Sequence, residues 1–86
     1  MDIEFDAAKD EANRSKHGVG LSDGGMVLDN RVADLLDPRS ADEERRLAFG
    51  MIAGRLFVCA YTMRGPVYRI ISVRKANKRE QRKWLS

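Results

Sequence analysis

Two alternating apolar stretches, Leu47-x-Phe49-x-Met51 and Leu56-x-Val58-x-Ala60, flank Ala53-Gly54 near the middle of the chain. Period-two alternation marks a strand with one buried face. A two-residue loop at Ala53-Gly54 pairs Met51 with Leu56, Phe49 with Val58 and Leu47 with Ala60. All three pairs are apolar and share one face, as a correct register requires. A third strand, Val67–Val73, follows a turn at Met63-Arg64-Gly65-Pro66. Continuing the register sets Val58 opposite Ile71 and Leu56 opposite Val73, with Tyr61 opposite Tyr68 and Cys59 opposite Ile70 on the second face. The middle strand is apolar on both sides and is expected to be central. The second face also takes Arg46, Ser72 and Arg74 beside small Ala48 and Gly50, and reads as a shallow groove with a basic rim.

The flanking segments are helical in pattern. Ile3–Phe5 is short and β-prone, and Asp6 stands where an N-cap belongs. A helix over about Ala7–His17 follows, stopped by Gly18. Its apolar content (Ala7, Ala8, Ala12) is thin, so it is a surface helix leaning on other elements. A second helix runs to about Asp29 with Ser22 as N-cap, and Gly24 and Gly25 each cost it about 1 kcal/mol relative to Ala. Residues 30–43 read as a loop around Pro38, with a short strand at Val32–Leu36. A basic helix over about Ala76–Leu85 closes the chain. The expected fold is α+β: two N-terminal helices and a C-terminal helix on an antiparallel sheet of three to four strands, one domain over residues 1–86.

Eighty-six residues bury only about 60–65% of their unfolded surface, so a partner that covers apolar surface matters. No apolar run approaches the roughly 20 residues that span a bilayer. The acidic N-terminus does not resemble a secretory or transit peptide. A cytoplasmic protein with no membrane contact is expected. A single cysteine, Cys59, and a single histidine leave no disulfide framework and no Cys- or His-cluster metal site. No metal or other cofactor is expected. Cys59 lies inside an apolar run and reads as a small buried hydrophobe rather than a reactive thiol.

The net charge of +3 conceals a sharp division. Residues 1–44 hold five Lys/Arg against twelve Asp/Glu, a balance of −7. Residues 45–86 hold eleven against one, Glu80, a balance of +10. A half-chain this basic is an electrostatic footprint for RNA or DNA, unless the two halves neutralise each other in the fold.

Cleaving RNA without a metal requires the 2′-hydroxyl to lose a proton, the 5′-oxygen to gain one, and cations to hold the charge that builds on phosphorus. Histidine suits proton transfer near neutrality and arginine fits phosphate through its planar fork. His17, beside Lys16, is either such a group or a cap for the negative end of its helix. Arg69 and Arg74, five apart in one strand, face opposite ways unless a bulge intervenes. On this register Arg74 shares a face with Ser72, Tyr61 and Tyr68, where phosphate contact and base stacking combine. The two tyrosines read equally as a cross-strand core pair. Glu80 is a base or a partner that orients Arg74 or Arg79, and Trp84 reads as an anchor for the last helix.

The pieces Phe5-Asp6-x-x-Lys9, Asn13-x-x-Lys16-His17-Gly18-Val19, Glu44-Arg45, Gly50, Gly54-Arg55, Arg69-Ile70-Ile71-Ser72-Val73-Arg74-Lys75-Ala76 and Lys78-Arg79-Glu80 occur in that order. Together they resemble the BrnT toxins, of the RelE-like ribonucleases, over about residues 3 to 84. The chain departs from that pattern at Gly24-Gly25, where an acidic, alanine-rich helix is usual, at Val73 for Ala, and at Trp84 near an expected Tyr. The resemblance implies the toxin of a type II toxin–antitoxin pair, a metal-independent, ribosome-independent ribonuclease that arrests growth. It implies neutralisation by a ribbon-helix-helix antitoxin (BrnA-like), operator DNA bound through that antitoxin, and a toxin dimer within the hetero-oligomer. By position it nominates His17, Lys16, Arg74 and Glu80 as catalytic candidates. Arg46, Arg69, Lys75, Lys78, Arg79 and Tyr68 are the RNA-binding candidates. The competing reading is a non-catalytic nucleic-acid- or antitoxin-binding module, a degenerate toxin.

Overall fold

The computed structural model describes residues 1–86. Strand β1 (Ile3–Glu4) leads into helix α1 (Ala7–His17), a 3-10 turn (Leu21–Asp23) and helix α2 (Gly24–Asp29). Strands β2 (Arg31–Leu36), β3 (Arg46–Ile52), β4 (Arg55–Arg64) and β5 (Val67–Lys75) follow, and helix α3 (Lys78–Leu85) ends the chain. The strands form one sheet in the order β1-β5-β4-β3-β2, with β4 central. It has five strands and is mixed, because β1 joins β5 in parallel while the other pairs are antiparallel. The sheet is thus wider than the three to four antiparallel strands expected. Two residues of β1 are too short to announce themselves by alternation.

The β3–β4 hairpin has the anticipated register: Met51↔Leu56, Phe49↔Val58 and Leu47↔Ala60. Ala53 and Gly54 both take positive φ, 49° and 78°, as a tight turn matched to strand twist requires.

The β4–β5 register is different from the expected one. Arg64 pairs with Val67, so the loop is Gly65-Pro66 alone rather than four residues. Past Ala60 a bulge leaves Ile71 unpaired, so that Ala60 meets Ser72, Cys59 meets Val73 and Val58 meets Arg74. The shorter loop lets β5 pair as far as Lys75, two residues beyond the Val73 end that was anticipated. Gly65 makes the tight loop accessible, at φ 58°. The bulge also reverses side-chain parity beyond it. Arg69, Ser72 and Arg74 therefore share one face with Val58 and Thr62, and Tyr61, Tyr68 and Ile70 share the other. The arrangement that put Arg74 and Ser72 beside the two tyrosines is corrected accordingly.

Each face has its own core. On the α1/α2 face, Leu21, Val27 and Leu28 pack on Ala48, Phe57, Cys59, Tyr61, Ile70 and Val73. On the α3 face, Phe49, Leu56, Val58 and Ala76 form a smaller cluster with Leu35, Leu47, Met51 and Trp84 beside it. The Trp84 ring lies 5.5 Å from that of Phe49 and docks α3.

The helices sit close because small residues admit them. A methyl group on Gly50 would land on the Val27 carbonyl oxygen of α2, and one on Gly24 would crowd Ile70 and Cys59. Gly24 is thus a packing requirement rather than only a weakness of the second helix. That helix starts as the 3-10 turn, and Ser22 does not cap it: α2 has no side-chain cap. Asp6 does cap α1, accepting from the Lys9 N–H at 3.0 Å, and Gly18 ends it at φ 75°. The sole buried residue of α1 is Asn13. Its amide donates to the Val73 and Val19 carbonyls at 2.8 and 2.9 Å and accepts from the Val73 N–H at 3.2 Å. Where β1 has ended, one side-chain amide stands in for the missing strand against β5.

Candidate active site

β5 runs into α3 through Ala76, which is held on all sides. Its N–H donates to Leu56, and its carbonyl accepts from Arg55 at 3.0 Å and Gln81 at 3.3 Å. Asn77 then caps α3: its side chain accepts from the Glu80 N–H at 2.8 Å, and Glu80 Oε1 accepts from the Asn77 N–H at 2.9 Å, a reciprocal capping box. The same Glu80 carboxylate receives both terminal nitrogens of Arg74, Nη1 at 2.8 Å and Nη2 at 2.9 Å. Arg74 Nη1 also donates to the Lys75 carbonyl at 3.3 Å.

Arg74 is therefore fixed from its far end, and its Nε–H and the outer Nη2 hydrogen have no protein acceptor. Those two donors form the side fork that fits two oxygens of a phosphate. The Arg74 side chain is 34% exposed, so the fork is reachable. The pairing holds the Glu80 carboxyl below its usual range, chiefly through the Arg74 hydrogen bond, and raises Arg74. A carboxylate so occupied is suited to orienting Arg74 rather than to taking protons near neutrality. Lys78 and Arg79 are exposed in the first turn of α3, and Lys75 is exposed at the end of β5 on the opposite, α1/α2 face. Arg69 shares the Arg74 face and sits 3.6 Å from Glu4.

His17 and Lys16 belong to α1. β1 lies beside Tyr68 and Arg69, whereas Asn13 bonds to Val73, so α1 advances along β5 toward the end where Arg74 stands. His17 is half-buried with no side-chain hydrogen bond, and Lys16 is exposed. Both end over the α1/α2 face, and no hydrogen bond or ion pair joins them to Arg74 or Glu80. The catalytic candidates share an end of the sheet without forming one hydrogen-bonded constellation.

Arg46 and Tyr68 lie elsewhere, in a polar row across the α1/α2 face. Asp34 of β2 accepts from Arg46 Nε and from Arg31 Nη1, both at 2.9 Å, and from the Tyr61 hydroxyl. The Arg31 guanidinium stands 5.6 Å above the Tyr68 ring, and the Tyr61 and Tyr68 rings are 5.3 Å apart. Burial pushes the Asp34 carboxyl up, but the bonds from Tyr61, Arg46 and Arg31 outweigh it and leave it below its usual range. Sequence reasoning missed Arg31 and Asp34 because residues 30–43 read mostly as loop. The alternation of the short strand, which turns Asp34 away from Ala33 and Leu35, was the available signal.

The order of motifs now has a structural counterpart: capped α1, the Asn13 clamp, Gly50 under α2, and the Arg74–Glu80 pair. A family model of the BrnT ribonuclease toxins of type II toxin–antitoxin systems matches residues 5–80. The chain belongs to the BrnT family. No curated protein matches it. Membership makes it a toxin of a type II toxin–antitoxin system, in a family described as ribonucleases, with RNA as target and an antitoxin as partner. No helix is long and apolar enough to cross a membrane. Within the BrnT match fall every catalytic and RNA-binding candidate named above, His17 near its start and Glu80 at its last residue.

Proposed function

We propose that this toxin is a metal-independent endoribonuclease whose phosphate anchor is Arg74. The observation that carries the reading is the bidentate Glu80 clamp, which immobilises Arg74 with its side fork free at the mouth of a basic end of the sheet. Fixed donors aimed at developing negative charge lower a barrier more than mobile ones, because no reorganisation is needed at the moment of reaction. The fork holds the scissile phosphate, and Lys75, Lys78 and Arg79 add positive potential around it, with Arg69 further along the same face as Arg74. His17 moves protons with Lys16 beside it, taking one from the 2′-oxygen and returning one to the leaving 5′-oxygen. The products are a 2′,3′-cyclic phosphate and a 5′-hydroxyl. Glu80 acts through Arg74 as a positioning residue.

The test incubates antitoxin-free protein with a defined single-stranded RNA in EDTA, beside Arg74→Ala and His17→Ala. Fragments from wild type and none from folded Arg74→Ala support the assignment. Cutting by Arg74→Ala refutes it. A second reading, a degenerate toxin that only binds RNA or antitoxin, is favoured by one observation: nothing links His17 to the Arg74–Glu80 pair. Intact RNA in every lane selects that reading.

The partner in this proposal is a ribbon-helix-helix antitoxin that carries operator-DNA binding for the complex, with toxin dimers inside the assembly and a cytoplasmic setting. Exposed Val32 and Leu36 on the open edge strand β2 support the need for a partner.

A further inference from the structure

The row on the α1/α2 face stands apart from the Arg74 site, and its chemistry is more specific than a surface ion pair. Arg31 and Arg46 flank one carboxylate, that of Asp34, each giving an N–H to a different oxygen. A phosphate likewise offers two anionic oxygens to such a pair of donors. Arg31 and Arg46 remain 33% and 32% exposed, so the site opens to solvent. Tyr68 lies half-buried under the Arg31 plane, with Tyr61 behind it. Glu44 is the other charge at the rim, 3.6 Å from Arg46 and largely exposed.

We propose that Arg31, Arg46 and Tyr68 form a nucleotide subsite for single-stranded RNA. The two guanidiniums grip a phosphate away from the scissile one. Arg31, which covers the Tyr68 ring in the free protein, swings off it to do so, and a neighbouring base stacks on the face it leaves. Asp34 is the internal anion that fills the clamp in the free protein and yields to the phosphate. An acidic protein segment would satisfy the arginines but leave the aromatic platform unused. The platform favours RNA, since every base has a face to stack on an aromatic ring. This inference rests on the ribonuclease reading for its substrate, not for its geometry.

The experiment is fluorescence anisotropy with a labelled 2′-O-methyl RNA oligonucleotide, which binds but is not cut. Arg31→Gln/Arg46→Gln is expected to weaken binding about tenfold, and Tyr68→Ala by roughly five- to tenfold. The double variant also lowers the magnitude of the slope of log K against log salt by about 0.7, for one single-strand phosphate no longer neutralised and its counterion no longer released. Asp34→Asn is expected to tighten binding several-fold, a gain that a misfolded protein cannot produce. Unchanged affinity and slope in the folded double variant overturn the proposal, as does Asp34→Asn binding no better than wild type. Poly-glutamate binding that needs both arginines, without RNA binding, overturns it in favour of a protein partner. Cleavage by wild type and Arg74→Ala is followed in parallel. If nothing is cut while Arg31/Arg46-dependent RNA binding persists, the ribonuclease reading fails and the subsite stands.

Discussion

Replacing Asn13 with alanine tests the least conventional element of the fold, a side-chain amide acting as a strand. Three hydrogen bonds vanish, two of them to the buried Val73 peptide. At about 1 kcal/mol net each, with a further penalty for leaving buried backbone groups dry, the loss is about 3–4 kcal/mol. That is a large share of the roughly 4–13 kcal/mol expected of a chain this size. The midpoint of thermal unfolding, followed by circular dichroism, should fall by roughly 12–32 °C. Asn13→Asp is a sharper variant. Its two oxygens can still accept from the Val73 N–H but have nothing to offer the Val73 and Val19 carbonyls. Its carboxyl pKa is raised in the folded state, so its deficit is largest near neutrality and shrinks as pH falls and the group gains a proton. A loss below about 1 kcal/mol for Asn13→Ala would show that water replaces the amide, and the strand analogy would be wrong.

Other variants probe other links. Gly50→Ala should cost about 3 kcal/mol, at the top of the overpacking range, because the neighbour is backbone rather than a movable side chain. Gly25→Ala meets only ordinary contact with Ile3 at 3.5 Å and should stabilise by up to about 1 kcal/mol; urea titrations of both variants separate the two glycine roles. Asp10, Asp34, Asp37 and Glu80 all have folded values below the ordinary 3.8 and 4.5. Their contribution is therefore present above those values and lost as pH falls through the folded ones, so the urea midpoint should hold from pH 5 to 8 and decline below about 4.5. A midpoint that declines between pH 7 and 5 would contradict this. Burial pushes the Cys59 thiol up to about 12, so Ellman's reagent at pH 8 should react only upon unfolding; a rapid native phase would contradict the packing.

What the sequence disclosed depended on how many competing patterns it offered. In β3 the large apolar residues Leu47, Phe49 and Met51 stand at one parity against small Ala48 and Gly50, so the register Phe49↔Val58 could be read directly although β4 is apolar on both faces. In β5, Ile70, Ile71 and Val73 are apolar at both parities, so two registers bury comparable surface. The short loop and the bulge, invisible to alternation, decided between them. The Arg74–Glu80 pair was among the readings open from the start, because Glu80 stands out as the sole acid of the basic half. The Asn77–Glu80 capping box that fixes it was missed, although its three-residue spacing is a local signal. The Asp34 cluster draws on β2, β3, β4 and β5 at once, and nothing local predicts such a meeting. Asn13 was legible as part of a motif, but only its Val73 contact, sixty positions away, shows that its work is structural.

Ile71 functions as a frame marker within β5. Downstream of it every side chain has exchanged sides, so that Val73 rather than Arg74 enters the core under the helices. Deleting Ile71 alone would remove the bulge and leave Ser72, Val73 and Arg74 on the sides they now occupy, whereas deleting Ile71 and Ser72 together would push Val73 out of the core and turn Arg74 inward. Tolerance to length change along this strand should therefore follow odd and even counts more than residue type. A deletion scan read by solubility would display that rule as a saw-tooth.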